Sequence, residues 1–154
     1  MNGIEKRHTH PLLVVEDNDA DFVVLERLMT QMAVQNPVYR CTDGDEALDY
    51  MYREGDYQTP ELAPRPGVVL LDLNLPGTDG REVLEHLKRD PKLYKIPVVI
   101  FTTSQNPLDI DFCYHHGANS YLIKPMDFNQ LQTTVQTFVE YWLSANVQPQ
   151  IPES

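Results

Sequence analysis

Five strand-sized apolar runs with helical patterns between them constrain this chain more than any other feature of it. They are "PLLVVE" (11–16), "PVYRC" (37–41), "GVVLLD" (67–72), "PVVIF" (97–101) and "SYLIK" (120–124), each rich in β-branched residues or leucine. The runs are near-continuously apolar instead of alternating, which is what a parallel sheet covered on both faces requires. Between them, Val24, Leu25, Leu28, Met29 and Met32 form one helical stripe, Val83, Leu84 and Leu87 a second, and Leu131, Val135, Phe138 and Trp142 a third. Asp127 followed three residues later by Gln130 resembles a capping box at the start of the last helix. The order is therefore βα five times over. It predicts right-handed crossovers and a flavodoxin-like, doubly wound α/β fold, in which five parallel strands in the order 2-1-3-4-5 lie between two layers of helices.

At 154 residues the chain suits one domain with a single sizeable core. Its expected bounds are 11–145, between a flexible arm (1–10) and a frayed, flexible tail (146–154), "NVQPQIPES". Residues 54–66, "EGDYQTPELAPRP", hold three prolines and no period, and read as a surface insertion before strand 3. With 12 basic and 23 acidic residues the formal charge is -11, which argues against nucleic-acid binding through a basic surface and points to proteins or cations as partners. Cys41 and Cys113 lack C-x-x-C spacing and fit buried thiols in a reducing compartment. The start "MNGIEKRHTH" has no apolar h-region, and no run approaches the roughly 18 apolar residues of a spanning helix. A cytoplasmic chain with no membrane contact is expected.

In open α/β sheets the ligand crevice lies outside the carboxyl ends of the strands. Strand 1 leaves Glu16 and Asp17 there, strand 3 leaves Asp72, strand 4 leaves Thr102 and Thr103, and strand 5 leaves Lys124 followed by Pro125. Carboxylates converging on one rim repel, at about 4 kcal/mol for each pair 4 Å apart at an effective dielectric near 20. Lys124 offers one compensating charge, and Mg²⁺ would offer two, since it takes one or two carboxylates with carbonyls, waters and phosphate oxygens. A carboxylate fixed at the end of a buried strand serves as metal ligand and as nucleophile. Thr102 and Lys124 can then bond the oxygens of a transferred phosphoryl group.

At this point the chain resembles the receiver domain of two-component response regulators, over roughly residues 11–144. The segments "VVEDN", "LLDLNLPGTDG", "VIFTT" and "YLIKP" fall in the right order on the right elements. The resemblance implies a CheY-like fold, Mg²⁺ held by Glu16 and Asp17 with Asp72 and the backbone carbonyl of Asn74, and Asp72 as the acceptor of phosphate from a histidine kinase phosphohistidine. It also makes Thr102 the switch hydroxyl, Lys124 the phosphate-facing lysine and Tyr121 the aromatic that turns on activation, and it implies a cis Lys124–Pro125 bond. Thr103 departs from the alanine or glycine usual after the switch hydroxyl, so a larger side chain stands beside Asp72 to shield an acyl phosphate from water. The proline-bearing loop and the absence of an effector segment look most like the stand-alone regulators paired with cyanobacterial phytochrome kinases. Their implied output is a surface of helix 4, strand 5 and helix 5, used for homodimerisation or kinase docking. Phe138, Val139, Tyr141 and Trp142 give the last helix more apolar breadth than one core stripe needs.

Each motif has a plainer reading. "EDND" alone is a solvated helix-initiating turn, Lys-Pro alone a turn, and Thr-Thr alone strand filler. Their joint occurrence at the ends of strands 1, 3, 4 and 5 favours a site. Asp79 and Gly80 read as a helix start, and none of the histidines is assigned to metal; His115 and His116 are adjacent and cannot share a helix face. A flavin carrier of the same topology would need a first loop of backbone donors, where "EDND" repels phosphate. An aspartyl-phosphate phosphatase would carry a second acid two residues after the nucleophile, where Asn74 stands.

Overall fold

The computed structural model of the protein describes residues 10–152. Its elements are β1 (Leu12–Val15), α1 (Asp19–Gln31), β2 (Val38–Cys41), α2 (Gly44–Tyr52), β3 (Val68–Leu71), α3 (Gly80–Arg89), β4 (Val98–Thr102), α4 (Pro107–His115), β5 (Ser120–Ile123) and α5 (Phe128–Glu140), which runs on into a π-helical turn (Tyr141–Ala145). The strands pair in parallel in the order β2-β1-β3-β4-β5, as the alternation of runs and stripes predicts.

Every residue of β1, β3 and β4 is buried, because successive side chains of one strand serve opposite layers. On one face Leu13, Val69, Leu71 and Ile100 meet Ala47 and Met51 of α2, Val83, Leu84 and Leu87 of α3, and Cys113 of α4. On the other, Leu12, Val14, Leu70 and Val99 meet Leu25, Leu28 and Met29 of α1 and Val135 and Phe138 of α5. Burial pushes the Cys41 thiol up to about 12 and the Cys113 thiol up to about 11, so both behave as small apolar residues.

Side chains set where the helices begin. Asn18, Asp43, Asp79, Asn106 and Asp127 each accept a backbone N–H of the first turn, a bond of about 1 kcal/mol. In a parallel αβ alternation these starts share the rim with the strand carboxyl ends. α3 begins hard against β3: a Cβ on Gly80 would lie 2.2 Å from the Asp72 carbonyl oxygen, which leaves glycine as the residue that fits.

Several particulars depart from expectation. β5 ends at Ile123, although the Lys124 N–H still donates to Thr102 O at 2.8 Å. The 54–66 loop has no helix or strand, yet it is bound down: Ala63 is fully buried, Tyr57 donates its hydroxyl to Glu46 at 2.6 Å, Tyr50 to Pro64 O at 2.6 Å, and Arg65 Nη1 to Met51 O at 2.6 Å. From Asn146 the described tail, expected to be flexible, makes contacts with the domain. The Asn146 N–H donates to Tyr141 O at 2.7 Å, Gln148 Nε2 to Trp142 O at 3.4 Å, and Ile151 packs on the first core, because an apolar side chain near the end of a chain gains by finding cover. The expected arm (1–9) and the last two tail residues lie outside the described residues. No peptide bond among the described residues is cis, so Lys124–Pro125 is trans; the isomers of such a bond differ by only about 0.5–1 kcal/mol, which local packing overrides. Of the four apolar residues on the last helix, Phe138, Val139 and Trp142 pack on the second core and Tyr141 is half exposed.

Candidate functional site

β1 delivers Glu16 and Asp17, β3 delivers Asp72, β4 ends on Thr102, and Lys124 follows β5. Glu16 (4% exposed), Asp72 (8%) and Thr102 (0%) are the polar groups these strands bury at the rim, while Asp17 is exposed. One carboxylate oxygen from each of Glu16, Asp17 and Asp72 lies within 4.8 Å of the others. Lys124 Nζ donates to Glu16 Oε1 at 2.5 Å, to Asp72 Oδ2 at 3.1 Å and to Asp21 Oδ2 at 3.3 Å. The second oxygens are held as well: Glu16 Oε2 accepts from the Asn18 N–H at 3.1 Å, and Asp72 Oδ1 from the Asn74 N–H at 3.3 Å.

This cluster is short of positive charge. Glu16, Asp17, Asp21 and Asp72 supply four negative charges to the one of Lys124, leaving three uncompensated. Burial opposes the Lys124 charge, but the Glu16 hydrogen bond and the Asp72 carboxylate outweigh it and hold the ammonium above its ordinary range. Burial pushes the Glu16 carboxyl above its ordinary range, with the Lys124 bond pulling the other way. The donor set fits a hard divalent cation: oxygens on opposite sides of Mg²⁺ stand about 4 Å apart, and these three carboxylate oxygens lie within 4.8 Å of one another. Asp17 is exposed, whereas both oxygens of Glu16 and both of Asp72 already accept hydrogen bonds.

Thr102 Oγ1 accepts only a long bond, 3.5 Å, from the Ser104 N–H. Tyr121 is half-buried, its ring against the first core and its hydroxyl donating to Ser104 O at 2.9 Å. The sequence-identified residues thus form two adjoining groups, the acids with Lys124 and the pair Thr102 and Tyr121. Thr103 is exposed and lines a cavity of about 320 Å³ with Asp21, Phe101, Lys124 and Met126.

Two contributors escape the sequence reading. Asp21 reaches Lys124 from the first turn of α1, and its place in the acidic helix start "EDNDAD" beside Glu16 and Asp17 is the signal that could have found it. Arg40 donates from Nε to Glu16 O at 3.0 Å, pairs with Asp19 at 2.8 Å and lies 4.7 Å from the Phe22 ring centroid. It clamps the β1–α1 loop, and its signal was the one charge inside the run "PVYRC".

Comparison with known proteins agrees with this geometry. The family description "Response regulator receiver domain" matches residues 12–136. A probable methanogenesis regulatory protein, FilR2 of Methanothrix harundinacea, is 41% identical over 139 residues, covering 90% of this chain and 86% of that one. Response regulator Rcp1 of Synechocystis is 37% identical over 138 residues, covering 90% and 92%, and the crystal structure of its Mn²⁺-bound form superposes with a TM-score of 0.85 over 92% of this chain and 99% of that one. The phosphorylated cyanobacterial phytochrome response regulator RcpA is 40% identical with a TM-score of 0.86, again over 92% and 99%.

Proposed function

This chain belongs to the response regulator receiver domain family, and on that premise we propose that it accepts a phosphoryl group on Asp72 from the phosphohistidine of a sensor histidine kinase, in a Mg²⁺-dependent reaction. The observation that carries the reading is Lys124 Nζ bonded to both Asp72 and Glu16, with Asp17 completing a group of carboxylate oxygens within 4.8 Å of one another. Asp72 is the nucleophile. A carboxylate oxygen attacks phosphorus as the phosphorus–nitrogen bond to the donor imidazole breaks, and the imidazole leaves with the electron pair. The Asn74 N–H fixes Asp72 Oδ1, so the carboxylate plane is set before the donor arrives. Lys124 stays charged and can follow the developing charge from Asp72 onto a phosphoryl oxygen, and the Thr102 hydroxyl can donate to a second. Asp17, Asp72 and the Asn74 carbonyl would hold Mg²⁺, with Glu16 bonded through water. When bound, that ion neutralises charge on the phosphoryl oxygens.

On this reading the chain is a phosphoacceptor that catalyses its own phosphorylation and slow dephosphorylation, and not a turnover enzyme. The likeness to Rcp1 and RcpA supports a phytochrome-type kinase as donor, and a cytoplasmic place of work is part of the same proposal. Output runs through a homodimer formed by α4, β5 and α5, a surface supported by exposed Leu108 (77%), Ile123 (36%) and Phe128 (55%). Incubation with acetyl phosphate and Mg²⁺ is expected to add one phosphate by mass; no added phosphate would refute the reading. Sedimentation with and without beryllofluoride, an aspartyl-phosphate mimic, tests the dimer, which a monomer in both states at micromolar concentration would exclude.

A further inference from the structure

A second chain of polar contacts runs along the same rim, from the segment after β3 to β5. Asp79, the cap of α3, accepts the Arg81 N–H on Oδ2 at 2.9 Å, and both its carboxylate oxygens accept from Arg81 Nη1 at 3.0 Å. The same guanidinium crosses to α4, where Nε donates to Asp109 Oδ1 at 2.9 Å and Nη2 lies 2.9 Å from that oxygen. Asp109 Oδ2 accepts the Ser104 hydroxyl at 2.6 Å. Ser104 then takes the Tyr121 hydroxyl on its backbone carbonyl at 2.9 Å. Each link joins a different element, so the β3–α3 loop, α3, α4, the β4–α4 segment and β5 are tied in series.

This is more than an exposed ion pair, whose median worth is near zero. The planar guanidinium is bracketed by two carboxylates, and the Arg81 and Asp109 side chains are only 28% and 18% exposed. Ser104 is held at three points, since its hydroxyl donates to Asp109 and accepts the Asn106 N–H at 3.3 Å while its carbonyl holds Tyr121. The Tyr121 hydroxyl, half-buried, needs an acceptor, and the Ser104 carbonyl is the one it has. If Ser104 is released, that acceptor moves and the ring loses its inward anchor.

We propose that Arg81 and Asp109 are positioning residues: by fixing Ser104 they hold Tyr121 inward, the arrangement that a phosphoryl group on Asp72 favours. The inference rests on the receiver reading above. A ligand on Asp72 acts on Thr102, two residues before Ser104, so both ends of the segment 102–104 belong to one two-state element. Holding Ser104 in place raises the population of the competent state, and apparent affinity rises with that population.

Titration of the full chain with beryllofluoride in Mg²⁺ buffer, read by the fluorine resonance of the bound species, tests this. Asp109→Asn and Ser104→Ala are each expected to weaken binding roughly five- to tenfold, with Mn²⁺ affinity in the absence of beryllofluoride unchanged within about twofold. In the Tyr121→Phe background, which has no hydroxyl to hold, Asp109→Asn is expected to add less than about twofold. Unchanged or tighter binding in the single variants overturns the proposal, and so does a full further loss in the Tyr121→Phe background. Should Asp109→Asn not fold, Ser104→Ala carries the same comparison in both backgrounds. Wild-type protein that binds no beryllofluoride would refute the receiver reading itself, which separates that failure from failure of the inference.

Discussion

Two clusters on one rim of this sheet each set a single cation among carboxylates, and they are built to opposite ends. Lys124 sits among Glu16, Asp72 and Asp21 with Asp17 nearby, three negative charges over balance. Arg81 sits between Asp79 and Asp109, one over balance, with the Ser104 hydroxyl donating to Asp109 and the Arg81 N–H to Asp79 as well. The first is open to a further cation and the second is closed. What distinguishes the proposed metal site is the charge deficit, together with oxygens of three carboxylates gathered within 4.8 Å of one another, and not the number of acids.

The comparison breaks most decisively at Asp72. Asp72→Asn is expected to abolish labelling by acetyl phosphate, while Asp79→Asn and Asp109→Asn still label at saturating donor; phosphate retained in the first variant would move the acceptor elsewhere. Next comes Lys124→Met, which leaves Glu16 and Asp72 buried without their cation and is expected to cost about 3–5 kcal/mol in chelator by urea denaturation, part of it regained with Mn²⁺. Arg81→Met, in the half-exposed cluster, is expected to cost about 1 kcal/mol with no response to metal. Asp17→Asn is expected to weaken Mn²⁺ binding by about tenfold or more, against less than threefold for Asp19→Asn or Asp21→Asn. Equal effects from all three would mean a diffuse acidic patch.

The smallest effect is on proton uptake, which NMR titration of the carboxyls in chelator reads residue by residue. Glu16 is raised by burial from its ordinary 4.5, so its contribution favours the folded state at low pH and is lost as pH rises through the raised folded-state value. Asp109 is lowered from its ordinary 3.8, chiefly by the Ser104 hydroxyl, so its contribution is present above that pH and is lost as pH falls through the depressed value. The two midpoints are expected to separate in those directions, and Mn²⁺ to lower that of Glu16 alone.

The sheet and the acid cluster were legible because strand-sized apolar runs end in chemistry-bearing residues, and topology alone brings strand ends together. Glu16, Asp17, Asp72, Thr102 and Lys124 needed no more than that. Arg40, Asp109 and Ser104 were not legible, since each acts through a partner 5 to 28 residues away that no periodicity announces. The 54–66 loop fared similarly: its prolines revealed the absence of a helix, but the burial of Ala63 depends on a tyrosine and arginine scaffold assembled from α2. Tail docking at Ile151 and the isomer of Lys124–Pro125 turn on energies too small for local sequence to decide.

The returning tail also bears on how the sheet is held. A Cβ on Gly67 would meet His10 Cβ at 2.7 Å and Gln148 Cδ at 3.2 Å, so both ends of the described chain converge on the entry to β3, at the rim opposite Asp72. His10 and Gln148 thus lie side by side, a sheet's length from Asp72. The segment before β1 and the returning tail therefore brace the same rim of the sheet, so that a bulkier residue at Gly67 would disturb both at once.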